Sequence, residues 1–137
     1  SPVAHMKPDE FEKTLAVNVT ANARLIRALE PLLLASNNGR AVFLTSGAAL
    51  STKPFWGAYS TSKAALDALV KSWANEQKNT ALKINLYSPG PVRTAMRAQA
   101  MPGENPLTLP TAEDIAPQIV SLCSPDYQET GEIISKR

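Results

Sequence analysis

Cysteine, histidine and long apolar runs are all scarce in this chain of 137 residues. Its one cysteine, Cys123, excludes an internal disulfide and any multi-cysteine metal site, which favours a reducing, cytoplasmic setting. Its one histidine, His5, excludes serine–histidine triads and the common zinc sites, so no metal is expected. The longest apolar runs have four residues, as at 32–35, which is too short to span a bilayer. No membrane partner is therefore expected.

The chain also lacks an excess of charge of one sign. Lysine and arginine total 14 against 12 acidic residues, and the basic residues are scattered without interleaved aromatics. A nucleic-acid partner is therefore not expected. The 44% of hydrophobic and 19% of charged residues are typical of a folded globular protein.

Periodic apolar residues predict helices that alternate with short strands. Spacing of three and four residues predicts a first helix over 8–35, a second over 58–77 and a third over about 111–124, with Cys123 on its apolar side and thus in the core. Strands are predicted at 41–44, 82–87 and 131–134. A loop with Pro54 and Gly57 precedes the second helix, and an irregular, proline-rich loop is expected over 93–110.

This alternation implies parallel strands joined by helical crossovers, an α/β fold with three strands and three main helices. The chain starts with a helix that has no strand before it. We therefore expect residues 1–137 to form a single partial domain, incomplete at its N-terminal side.

Tyr59 and Lys63 are four residues apart on the predicted second helix, so both side chains point into one volume. A phenol beside a cation ionises more readily and can exchange a proton with a substrate hydroxyl. The spacing alone is weak, because a chance Tyr-x-x-x-Lys is expected roughly 0.2 times in a chain of this composition.

Further polar or turn-forming residues lie where the carboxyl ends of parallel strands place ligands. Ser46 follows the first predicted strand, Pro89-Gly90 follows the second, and Asn18 interrupts the apolar side of the first helix. Each has an alternative interpretation: a local turn bond for Ser46, turn chemistry for Pro89-Gly90, and a satisfied polar group for Asn18. Their joint occurrence in this order favours a functional site.

These residues carry a resemblance to a known family. The matching segments are Asn18-Val19, Thr45-Ser46-Gly47, Tyr59-Ser60-Thr61-Ser62-Lys63, Ser88-Pro89-Gly90-Pro91-Val92-Arg93-Thr94 and Thr130-Gly131-Glu132. Together they resemble the C-terminal part of a short-chain dehydrogenase/reductase. The resemblance implies the C-terminal half of a Rossmann-like, doubly wound parallel sheet, and an oxidoreductase acting on a carbonyl or alcohol.

The resemblance also implies roles for individual residues. Tyr59 would be the acid/base, and Lys63 would hold the nicotinamide ribose and favour the phenolate. Ser46 would hydrogen-bond the reacting oxygen, and Asn18 would hold a water that links Lys63 to solvent. The residues expected against the nicotinamide are Pro89, Gly90, Val92 and Thr94.

NAD or NADP is the implied cofactor of a complete family member. Members seat its phosphates with an N-terminal glycine-rich turn, and the 6 glycines here form no Gly-x-x-x-Gly-x-Gly. We therefore expect poor cofactor binding and little activity from these 137 residues. The alternative is a non-enzymatic dimerising or interaction module. In the family, helices equivalent to 8–35 and 58–77 pair between subunits, which implies a homodimer or homotetramer.

Overall fold

The computed structural model describes residues 1–136. Its helices are α1 (Pro8–Leu15), α2 (Ala21–Ala35), α3 (Ala48–Ser51), α4 (Gly57–Glu76), α5 (Ala95–Ala100) and α6 (Ala112–Leu122), with short 3-10 turns at Val3–His5 and Pro106–Thr108. Its strands are β1 (Arg40–Leu44), β2 (Lys83–Ser88) and β3 (Ile133–Ser135). The alternation predicted from the sequence is confirmed, since the three strands form one parallel sheet in the order β1-β2-β3.

Strand β2 is the centre of this sheet and is buried on both faces. Ile84 and Leu86 pack on one side against a cluster that α4 supplies with Leu66, Val70 and Trp73. Tyr87 points to the other side, where the residues around it are Ile115 and Leu122 of α6 with Val42, Ile119 and Ile134. A strand covered by helices on both faces is typical of a parallel α/β sheet.

The first helix runs without interruption from Pro8 to Ala35, because a π-helical turn at Ala16–Thr20 joins α1 to α2. Pro8 starts it at a position where the missing amide proton costs nothing. Pro31 lies inside α2, and the helix continues to Ala35 beyond it. The sequence pattern predicted the helix but not the π-helical turn.

Two predicted loops contain helices. Residues 48–51 form α3, and 95–100 form α5, whose first turn is capped by Thr94 accepting from the Arg97 amide at 3.1 Å. The guanidinium of Arg97 is paired with Glu104 at 2.8 and 2.9 Å, so the proline-rich segment 93–110 folds back on itself. The prediction of an irregular loop was wrong at 95–100, because these local hydrogen bonds stabilise a helix that has no periodic apolar pattern.

The prediction that Cys123 is in the core was also wrong. Helix α6 begins as predicted with a capping box between Thr111 and Asp114. It ends at Leu122, which takes the buried position, and Cys123 follows as an exposed residue. Within residues 1–136, no helix is both long enough and apolar enough to cross a membrane.

Gly39, between α2 and β1, has no room for a side chain. An added Cβ would overlap the Leu33 carbonyl oxygen and approach Leu82 Cδ1 to 3.1 Å. We expect Gly39→Ala to lower the free energy of unfolding by about 2–3 kcal/mol in urea titrations. Gly103→Ala is the control, because no atom lies within 4 Å of its added Cβ. Equal stability of the two variants would contradict this packing.

Candidate active site

The candidate site lies at the carboxyl ends of β1 and β2. Ser46 comes two residues after β1 ends at Leu44, and Pro89 directly follows β2. Helix α4 starts at Gly57, so Tyr59 and Lys63 occupy its first two turns. The topology thus brings the predicted residues of three separate segments to one edge of the sheet.

Lys63 lies beside the ring of Tyr59, as the spacing predicted. Its Nζ is 5.8 Å from the centroid of the Tyr59 ring and donates to the Leu44 carbonyl oxygen at 3.0 Å. Both side chains are half-buried. Burial lowers the pKa of Lys63 because water solvates the ammonium less well there, and the Asp67 carboxylate acts in the opposite direction.

The Tyr59 ring is held in place by an aromatic neighbour. Trp56, one turn earlier, contacts it edge to face, with ring centroids 5.8 Å apart at 71°. Such pairs stabilise one orientation of the ring. The phenol is therefore anchored by Trp56 on one side while Lys63 lies next to its π face.

Asn18 is connected to this pair through a buried serine. Its Nδ2 donates to Ser62 Oγ at 3.0 Å, and the Ser62 hydroxyl donates to the Tyr59 carbonyl oxygen at 2.8 Å. Ser62 is fully buried. The π-helical turn contains Asn18, whose own carbonyl accepts from Asn22 Nδ2 at 2.9 Å. Asn18 thereby ties the first helix to the first turn of α4.

Ser46 begins the connection from β1 to α4. Its Oγ accepts from the Ala48 amide at 3.2 Å, which is the local turn bond considered above, and the hydroxyl proton is left for another acceptor. The same connection holds Thr52 at φ 43° and Phe55 at φ 71°. Non-glycine residues in this left-handed region store strain of about 1–3 kcal/mol each, a feature that is common near active sites.

The residues expected against a nicotinamide surround the turn after β2. Gly90 has φ 72° and open space where a Cβ would stand, which leaves this backbone accessible to a flat ring. The Val92 side chain packs inward on the cluster around Tyr87. Thr94 caps α5. A cavity of about 450 Å³ next to this turn is lined by residues that include Ser88, Gly90, Pro110 and Lys136.

Sequence reasoning missed three residues of this site. Ser62 links Asn18 to Tyr59, and the Thr45 hydroxyl donates to Asp67 on α4. The available signal was the spacing of Asp67, four residues after Lys63 and on the same face. Within residues 1–136, no group of three or more metal-ligating side chains is close enough to hold a metal ion.

Comparison with known proteins agrees with this geometry. A family model described as short chain dehydrogenase matches residues 1–105. The oxidoreductase YciK of Escherichia coli (strain K12) is 38% identical over 131 residues, which are 95% of this chain and 52% of YciK. An NADPH-dependent aldehyde reductase-like protein from Arabidopsis thaliana chloroplasts is 35% identical over 69% of this chain and 35% of its own length.

A solved structure gives the same result. The short chain dehydrogenase of Escherichia coli CFT073, complexed with NADPH, superimposes with a TM-score of 0.92 at 36% identity, covering 98% of this chain and 56% of the other. The chain thus spans about half the length of YciK and of this solved dehydrogenase, and about a third of the Arabidopsis protein. The sequence motifs, the parallel sheet and these matches together establish that this chain belongs to the short-chain dehydrogenase family.

Proposed function

We propose that this chain is the catalytic part of an NAD(P)H-dependent reductase that interconverts a carbonyl compound and its alcohol. The observation that carries the proposal is the placement of Lys63 Nζ 5.8 Å from the Tyr59 ring, at the strand ends of a short-chain dehydrogenase fold. A tyrosine hydroxyl in that position can pass a proton to or from a substrate oxygen, and the ammonium beside it supplies opposite charge while the proton is transferred.

In the reducing direction, the Tyr59 hydroxyl gives its proton to the carbonyl oxygen, and the product is the alcohol. Ser46 donates a hydrogen bond to the same oxygen and stabilises its developing negative charge. Lys63 remains charged beside Tyr59, and Asn18 keeps the start of α4 in position through Ser62. A bound nicotinamide supplies the hydride.

The backbone around Gly90 fits a nicotinamide. The open space at Gly90 and the inward packing of Val92 leave an accessible surface on this turn beside the strand ends. We propose that Pro89, Gly90, Val92 and Thr94 form this surface. NADPH is the preferred form, because relatives are named as NADPH-dependent and a related enzyme was solved with NADPH.

We further propose that residues 1–137 alone bind the cofactor poorly, as one partial domain. Phosphate-binding loops use closely spaced glycines, and the glycines here are scattered. The open edge of β1 is where further strands would pair, since β1 is hydrogen-bonded only to β2 within residues 1–136.

The experiment compares this chain with the product of the whole gene, including any coding sequence upstream of Ser1. NADPH oxidation is followed with a panel of aldehydes and ketones. We expect turnover from the whole gene product and none above background from the 137-residue chain. Turnover by the chain alone would contradict the partial-domain proposal, and no turnover by either would contradict the reductase proposal.

A second candidate function is a dimerising module, and an exposed leucine stripe favours it. The first helix has no buried residue, and Val17, Leu25, Leu29 and Leu32 are 60%, 53%, 43% and 68% exposed. Apolar residues in such a row are typical of a face that another helix covers. We propose that helices 8–35 and 57–76 pair with the same helices of a second copy.

Sedimentation at micromolar concentration tests this pairing. We expect the chain to sediment as a dimer or tetramer. The double variant Leu25→Gln with Leu29→Gln should sediment as a monomer, because burying the glutamine amides in the interface without hydrogen bonds costs free energy. Leu107→Gln is the control, since Leu107 is 77% exposed outside the two helices. A monomeric unsubstituted chain would exclude the interface.

A further inference from the structure

Two hydrogen bonds tie the end of β1 to consecutive turns of α4. Lys63 Nζ donates to the Leu44 carbonyl at 3.0 Å, and the Thr45 hydroxyl donates to Asp67 Oδ1. Thr45 is 6% exposed, and its amide extends the sheet by donating to Tyr87 O at 2.9 Å. Two residues that are catalytic in the proposed function lie close to these bonds. Ser46 follows Thr45 in the chain, and Tyr59 precedes Lys63 by one helical turn.

This connection sets how far α4 is shifted along β1. A shift by one residue moves a helix by about 1.5 Å along its axis, which would break both bonds. It would also change the separation of Ser46 and Tyr59, and misplacement of about 1 Å can cost about a hundredfold in rate. The Thr45–Asp67 bond is thus placed to align the two groups that share the reacting oxygen.

Asp67 also acts on Lys63 through its charge. The titratable groups beside Lys63 are Tyr59 and Asp67 on its own helix, while β1 presents the uncharged Leu44 carbonyl and Thr45 hydroxyl. A lysine and a carboxylate four residues apart on a helix are neighbours and can form an ion pair. Within residues 1–136, Asp67 and Lys63 are not ion-paired, and the carboxylate is bonded to Thr45 instead.

We propose that Thr45 and Asp67 are a positioning pair for the proposed active site. The Asp67 carboxylate favours the charged form of Lys63, and its hydrogen bond with Thr45 limits this effect. The same bond keeps that carboxylate out of an ion pair that would draw the ammonium away from Tyr59. The effect of this pair on catalysis rests on the proposed function, whereas its effect on the position and charge of Lys63 does not.

The test measures the pKa of Lys63 in the 137-residue chain by NMR with ¹³C-labelled lysine, with Lys63→Arg to assign the signal. Asp67→Asn removes the charge and keeps an acceptor, so it should lower this pKa by about 0.5–1 unit. Thr45→Val removes the hydroxyl and frees the carboxylate, so it should raise the pKa by a similar amount, about 0.5–1 unit. Thr45→Ser keeps the hydroxyl and should match the unsubstituted chain.

Opposite shifts in the two variants distinguish this pair from a merely structural contact. An unchanged pKa in both, or shifts of the same sign, would overturn the proposal. If circular dichroism shows that Thr45→Val does not fold, the test depends on Asp67→Asn alone. An unchanged Lys63 pKa in that variant would then overturn the proposal. In the whole gene product both variants should lower kcat about tenfold, with the KM for NADPH within about twofold. Absence of any reductase activity would refute the proposed function and leave the NMR result standing.

Discussion

Replacing Tyr59 with phenylalanine should lower kcat/KM for carbonyl reduction by the whole gene product about a thousandfold. The substitution removes the only group proposed to deliver the proton. The phenylalanine ring retains the edge-to-face contact with Trp56, so the free energy of unfolding should change by less than about 0.5 kcal/mol. Steady-state NADPH oxidation and urea unfolding measure the two quantities.

Tyr87→Phe is the matched control for this loss. Its hydroxyl donates to Gln118 Oε1 at 2.6 Å inside the core, on the α6 face of the sheet, whereas Tyr59 lies on α4 at the opposite face. Loss of this buried hydrogen bond should cost about 1–2 kcal/mol of stability and leave kcat within about twofold. If Tyr59→Phe retained more than about a tenth of the activity, another group would have to be the proton donor.

Replacing Lys63 with methionine should reduce activity at least about a hundredfold without destabilising the chain. The substitution removes the positive charge beside Tyr59 that offsets the charge developing during proton transfer. Lys63→Met should keep the free energy of unfolding at pH 7 within about 0.5 kcal/mol of the unsubstituted chain, or above it, because a half-buried charge is no longer desolvated. Lys71→Met, on an exposed position of the same helix, is the control.

The pH dependence of this comparison has a defined sign. The pKa of Lys63 is lowered in the folded chain by burial, so the unfolded chain binds this proton more tightly. The free-energy cost of burying the charged ammonium is fully present below the lowered pKa. This cost disappears as the pH rises to the ordinary pKa of lysine. Stability of the unsubstituted chain should therefore increase relative to Lys63→Met across that window. A decrease would mean that Lys63 is held as a stabilising ion pair.

Much of the fold could be predicted from the sequence because it depends on local patterns. The helical spacing of Leu66, Val70 and Trp73 and the short apolar strands are sufficient to indicate a parallel α/β sheet. The pair of Tyr59 and Lys63 is also local, since both lie on one helix face. These features require no knowledge of how distant segments meet.

The missed features depend on tertiary contacts. The Thr45–Asp67 bond joins residues 22 positions apart, and the link from Asn18 to Ser62 joins residues 44 positions apart. The π-helical turn inserts one residue into the turn without disturbing the apolar pattern on either side. Helix α5 is too short to show a period and is stabilised by Arg97 and Glu104.

The proposed reduction is tested most directly with NADPH in which deuterium replaces both hydrogens at C4 of the nicotinamide. The whole gene product is incubated with an accepted carbonyl compound, and the alcohol is analysed by mass spectrometry. We expect one deuterium on the carbinol carbon, and a rate of labelling that Tyr59→Phe lowers about a thousandfold. Consumption of the carbonyl compound without deuterium in the alcohol, or labelling that Tyr59→Phe leaves unchanged, would contradict the proposed site.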